Sequence, residues 1–225
     1  MVSETHTHEH DHAEHDHAHA HDAGEHEHAA ELSEEAREAA RERLRRGALA
    51  QIRQYPDVAL RMKAREVTEF DEFLVQLVER MMTLMEDAQG VGLAATQVGV
   101  VQRLFVFSPD ESGSFAVVNP RIVASSAETA TEEEGCLSLQ GVRVPVERAT
   151  TISLEGVDPS GKEVRFELEG LAARVAQHEN DHLDGVIFVD RVKDPTTFTT
   201  WAEFDRFHKQ PFVERIVPFV KKMGG

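Results

Sequence analysis

The chain has 225 residues, a formal net charge of −17, 40% hydrophobic residues and one cysteine. That length and apolar content support one globular core at roughly 100–200 residues per domain; a single cysteine excludes an internal disulfide framework. The 41 acidic against 24 basic residues argue against a nucleic-acid backbone as partner, so no DNA is expected; no apolar run reaches a membrane span of ~18 residues, so no membrane is expected, and the N-terminus lacks the pattern of a secretory signal, which points to the cytoplasm.

Residues 1–30 stand apart. They hold ten of the 13 histidines (His6, His8, His10, His12, His15, His17, His19, His21, His26 and His28), eight acids and no Lys or Arg. Few apolar side chains larger than Ala occur there, so the segment is expected to be a disordered tail. Histidine alternating with Asp and Glu is a compositional signal for weak divalent-metal binding. Residues 31–48 are charged and Ala-rich and read as a helical linker. The body, 49–225, reads as a single domain with a C-terminal helical extension.

Within the body, Tyr55-Pro56-Asp57 marks a turn. Thr68 and Asp71 resemble a capping box. Phe70, Phe73, Leu74, Leu77, Met81, Leu84, Met85 and Ala88 then recur at helical spacing, and Gly90 ends that helix. Segments 103–108, 114–119, 142–146, 151–156 and 163–168 read as strands. Asp158-Pro159-Ser160-Gly161 joins the last two as a hairpin. Residues 171–183 return to helical period. Helix, antiparallel strands, helix favours an α+β fold over a doubly wound sheet.

His178-Glu179-Asn180-Asp181-His182 is the most specific stretch. On a helix both histidines share one face and can reach one metal ion. Glu179 is then placed to take a proton from a water at that ion. Leu171 and Val175 continue the same face as an apolar wall. A catalytic site of this type takes a third protein ligand. The lone Cys136, within Glu134-Gly135-Cys136-Leu137-Ser138, is the candidate. In Gly90-Val91-Gly92-Leu93-Ala94-Ala95-Thr96-Gln97 the glycines permit close backbone approach and Gln97 offers an amide donor.

Taken in this order, the three stretches resemble the signature motifs of the peptide deformylase family, from about Leu49 to about Arg191. The resemblance implies an α+β fold with mixed, mostly antiparallel sheets around a central metal-binding helix. It implies removal of the N-formyl group from formyl-methionine on new polypeptides. It implies one divalent metal, physiologically Fe²⁺, with Zn²⁺, Ni²⁺ or Co²⁺ able to replace it, held by Cys136, His178 and His182. By the same resemblance Glu179 is the base, and Gln97 with the backbone N–H of Leu137 stabilises the oxyanion. Gly92 and Arg143 meet the substrate backbone, and Val91, Leu171 and Val175 line the methionine pocket. Asp181 and Arg148 look like partners of the ligands rather than catalysts. A monomer is expected, with nascent polypeptides as partners and transient ribosome contact through basic residues after 200. Val58, Glu132, Gln140, Glu147 and Asn180 depart from the common pattern, which bears on pocket shape rather than on the reaction. Two other readings stand beside it: a His-Glu-x-x-His metalloprotease, and a His-rich metal store on a degenerate deformylase scaffold.

Overall fold

A computed structural model describes residues 33–110, 113–208, 210 and 214. The histidine-rich segment 1–30 lies outside the described residues. So do Phe212, Val213, Ile216 and Phe219 of the expected C-terminal extension. The fold below is that of the unit Glu34–Gly225, distinct from the unit Met1–Ser33.

Helix α1 (Glu34–Leu49) places Glu34 and Glu35 in its first turn and Arg46 in its last, matching the helix dipole. Only Ala48 and Leu49 are buried. Asp57 then caps the short 3₁₀ turn Val58–Arg61 by accepting the Ala59 N–H at 2.9 Å.

Helix α2 (Glu72–Asp87) starts one residue after Asp71, whose carboxylate accepts the Leu74 N–H at 3.0 Å. Asp71 alone satisfies that N-terminal donor, so the expected box with Thr68 is corrected. Leu74, Leu77, Val78, Met81, Leu84 and Met85 form its buried stripe. Phe70 precedes the helix and Phe73 sits at the edge of the stripe in its first turn; both stay exposed.

Five antiparallel strands follow in the order β1 (Gly92–Ala94), β2 (Leu104–Asp110), β3 (Gly113–Ser125), β6 (Thr151–Val157), β7 (Glu163–Glu169). The register Leu104↔Val118 and Phe105↔Val117 sends alternate side chains to opposite faces. Leu104, Val106, Ala116 and Val118 join the apolar cluster of α2. Phe105, Phe107 and Val117 join that of helix α3 (Gly170–Leu183). A second sheet pairs β4 (Thr129–Cys136), β5 (Leu139–Ala149) and β8 (Thr199–Thr200), also antiparallel. The one parallel pairing among the described residues is an isolated bridge, Arg65↔Gln102. The fold is α+β, with α3 lying against both sheets.

Of strand β4 only the end at Glu134–Cys136 was expected to pair with a sheet, because the rest of Thr129–Cys136 is acidic rather than alternating. Its backbone pairs with β5 from Thr129↔Ala149 to Cys136↔Leu139, and its acidic side chains are tolerated there because Glu132 and Glu134 both pair with the buried Arg174. The Asp158 turn forms the expected hairpin, its carboxylate accepting the N–H groups of Ser160 and Lys162. Gly161 takes the positive φ of +85° that this turn needs. Among the described residues no helix is long and apolar enough to cross a membrane.

Candidate metal centre

One turn of α3 separates His178 from His182, so both imidazoles leave the helix on one face, with ring centroids 5.0 Å apart. Cys136 closes β4 and faces them across the gap between sheet and helix. Its Sγ lies 3.3 Å from His182 Nε2. Ligand atoms of Cys136, His178 and His182 all fall within 4.8 Å of one another. The thiol receives the Ser138 N–H at 3.3 Å and the Gln97 amide at 3.5 Å.

His178 is oriented from behind. Glu134 Oε2 lies 3.0 Å from His178 Nδ1, which leaves Nε2 as that ring's remaining nitrogen. Arg148 grips Glu134 with two parallel bonds, Nε to Oε1 at 2.9 Å and Nη2 to Oε2 at 3.0 Å. Arg174 adds a third, Nη1 to Oε1 at 2.7 Å. The far side of Arg148 donates to Asp181 at 2.6 Å, and Asp181 is in turn gripped by Arg191. Of these alternating charges all but the exposed Arg191 are buried, and each is paired, which makes their burial tolerable.

Electrostatics fit a cation. Burial disfavours charge on His178, but the Cys136 thiol and the Glu134 carboxylate outweigh it and hold its pKa well above the usual value. For His182, burial and the neighbouring His178 and Arg148 push the pKa well below the usual value, leaving a neutral imidazole. Glu134 is also disfavoured by burial, yet His178 and Arg148 hold it well below the ordinary carboxylate range. A proton affinity raised at His178, beside a neutral imidazole and a sulfur, marks a site that calls for positive charge. The donor set of one sulfur and two imidazoles is that of a borderline divalent ion. Two buried polar atoms at the site, Glu179 Oε2 and His182 Nδ1, have no hydrogen-bond partner among the described residues.

Glu179 is one residue past the first imidazole and only 4% exposed. Burial pushes its carboxyl up to about 7. Gly92 on β1 lies against it so closely that an added Cβ would meet Glu179 Cδ and Cγ at 2.8 Å. Gln97 is fixed from both ends. Its Oε1 accepts the Ala94 N–H at 2.7 Å, so its Nε2 points to Ser138 Oγ (3.1 Å) and the thiol.

These groups line one cleft of about 770 Å³. Val91, Gly92, Leu137, Arg143, Leu171 and Val175 line it with Cys136, His178 and Glu179. Val91 is 48% exposed at the surface, while Val175 is buried. Arg143 stacks over Phe204, 4.7 Å from the ring centroid, and burial lowers its pKa. All eleven residues singled out from the sequence therefore converge on this region, His182 from beneath the cleft floor.

The chain matches polypeptide deformylase over residues 49–198. It belongs to that family. It is 48% identical over 141 residues to the peptide deformylase of Thermotoga maritima, covering 63% of this chain and 85% of that one. The peptide deformylase of Desulforudis audaxviator is 44% identical over 144 residues, covering 64% and 94%. The crystal structure of the Thermotoga maritima enzyme superposes with a TM-score of 0.62 at 47% identity, covering 64% of this chain and 97% of that one. As a deformylase, the chain is a metal-dependent hydrolase that removes the formyl group from N-terminal formyl-methionine of newly made polypeptides and releases formate.

Sequence reasoning quoted Glu134 and Ser138 in their motif without singling them out, and passed over Arg174. Arg174 carried a signal: it is a charged residue one turn before His178 on an otherwise apolar helix face. The departures from the common pattern have contacts of their own. Glu132 pairs with Arg174 at 3.5 Å, Gln140 donates to Gln54 at 3.0 Å, and Glu147 meets Lys193 at 3.0 Å. Asn180 accepts from Arg103 at 3.1 Å, and Val58 is exposed.

Proposed function

We propose that Cys136, His178 and His182 hold the single divalent ion of this deformylase, Fe²⁺ in the cell, with Zn²⁺, Ni²⁺ or Co²⁺ able to replace it. The observation that carries this is the convergence of the sulfur and both imidazoles within 4.8 Å at the foot of a cleft that also holds Glu179 and Gln97. When bound, such an ion polarises the formyl oxygen and lowers the pKa of a water.

The chain's own residues supply the rest. Glu179, with its carboxyl pushed up to about 7, takes a proton from the attacking water and returns it to the departing amine. The water oxygen joins the formyl carbon, the carbon–nitrogen bond breaks, and formate and a free amine leave. Negative charge developing on the formyl oxygen meets donors at Gln97 Nε2 and the Leu137 backbone N–H. Ala94 fixes the Oε1 end of the Gln97 amide, so Nε2 stays at the site and has only to exchange Ser138 Oγ or the thiol for the formyl oxygen. Val91, Leu171 and Val175 enclose the methionine side chain, and Gly92 and Arg143 face the peptide backbone.

The enzyme works as a cytoplasmic monomer on nascent chains, with basic residues after 200 touching the ribosome. Residues 1–30 are taken as a His/Asp/Glu-rich tail, 31–48 as a charged helical linker and 49–225 as the catalytic domain with a C-terminal helical extension. Formate release from a formyl-Met peptide, measured anaerobically with Fe²⁺ or with Ni²⁺ for the native protein and Glu179→Ala, tests the roles together. Turnover that survives Glu179→Ala would refute the assignment of the base.

A further inference from the structure

All of helix α1 but its last residue, Leu49, lies before the match to the deformylase family, yet the helix forms part of the same cleft. Glu42, Arg45 and Leu49 line the same cavity as Cys136, His178 and Glu179. The last turn of α1 fixes it there: Ala48 and Leu49 are buried in the apolar cluster of α2. Arg80 of α2 also donates to Gln51, just past the helix, at 3.5 Å.

At the cleft lining α1 places the pair Glu42 and Arg45, and the last two turns that carry them are net positive. Glu42 lies 3.6 Å from Arg45 and 3.8 Å from Arg46, so two guanidiniums share one carboxylate. Residues 41–46 hold four Arg (Arg41, Arg43, Arg45, Arg46) against Glu42 alone, a net +3 in a chain of −17. Arg37, Arg41 and Arg45 follow at steps of four and fall on one helix face. Arg45, at the cleft, is half-buried, and Arg41 and Arg37 are exposed. Carboxylates deeper in the cleft do not cancel this face. Glu134 is gripped by Arg148 and Arg174, and Glu133 faces Arg143.

A polypeptide whose formyl group reaches the metal end must run its following residues out along this cleft and past its rim. We propose that α1, through Arg45 with Arg41 and Arg37 behind it, selects substrates by the charge of the residues following formyl-methionine. It favours acidic side chains there and disfavours Lys and Arg. This rests on reading the cleft as the substrate cleft. Partial burial makes Arg45 a stronger reader than a fully solvated cation, because water screens it less.

The test compares kcat/KM of the full, Ni²⁺-loaded chain on formyl-Met peptides carrying Asp, Ser or Lys at the next two positions. The expected acid-over-lysine ratio is about two- to fivefold, set largely in KM and shrinking in high salt. Arg45→Glu is expected to invert it, and Arg45→Gln, which keeps most of the stem, to bring it near one. Arg43→Glu alters charge on α1 away from the cleft lining and is expected to leave the order of substrates as it was. The same ratio in the native protein and in both Arg45 variants, with helix content unchanged by circular dichroism, would overturn the proposal. Failure of the native chain to turn over even the Ser peptide would instead overturn the reading of the cleft beneath it.

Discussion

At the residue scale the account turns on Glu179. In the proposed mechanism it is a base rather than a ligand, so Glu179→Ala is expected to cut kcat by at least ~10²–10⁴-fold while metal content, measured on the same sample, stays that of the native protein. Gly92→Ala tests the same group from the opposite side. The new Cβ would lie 2.8 Å from Glu179 Cδ, so the carboxylate must move, and activity should fall although no functional atom is removed. Gln97→Ala removes one oxyanion donor and is expected to cost ~10²–10³ in kcat. The pH profile follows from burial of Glu179. A base must be ionised, so kcat/KM rises with pH through its pKa, about 7 without a bound cation and lower with one. An acidic limb centred at or below pH 7 and abolished in Glu179→Gln is the expected result of a pH–rate series.

Elements show where local sequence pattern ran out. Helices α2 and α3 and strands β2, β6 and β7 were legible because their apolar residues follow the helical or the strand period. Strand β4 was legible only at its Cys136 end, since its one buried residue is Glu134, whose partners, Arg148 and Arg174, come from β5 and α3. A buried carboxylate is readable only once its cation is known, and these cations lie 14 and 40 residues away. The same separation makes the cluster a tie between sheet and metal helix. Arg148→Met leaves Glu134 and Asp181 short of a cation and is expected to destabilise the fold by about 3–5 kcal/mol, measured by denaturant unfolding. Glu134→Gln should weaken metal affinity by ~10–100-fold, measured by competition with a chelator, because His178 loses its orienting carboxylate. Its pH signature has a definite sign. The folded pKa lies below the ordinary value of 4.5, so its stabilisation is complete above that pH and is lost only as pH falls further. The native protein is therefore expected to outlast Glu134→Gln most clearly at neutral pH, with the gap closing in strong acid.

Across the whole molecule, three short motifs spread over 178–182, 134–138 and 90–97 made the catalytic centre legible before any fold was in hand. What they could not convey was its wall. Helix α1 has the composition of a solvated connector, and its part in the cleft depends on two buried residues, Ala48 and Leu49, at its very end. The histidine-rich segment 1–30 makes a separate demand. Removing it should lower the number of Ni²⁺ equivalents bound per chain, seen by calorimetric titration, without reducing formate release from enzyme already loaded with metal. One observation would test the centre itself without ambiguity from those histidines. Cys136 is the only cysteine in the chain, so any sulfur-to-metal charge-transfer absorption in the Co²⁺-loaded protein reports on it alone. The account predicts that band in active Co²⁺ enzyme and its loss in Cys136→Ser; an active Co²⁺ enzyme without it would contradict the shared Cys136, His178 and His182 site.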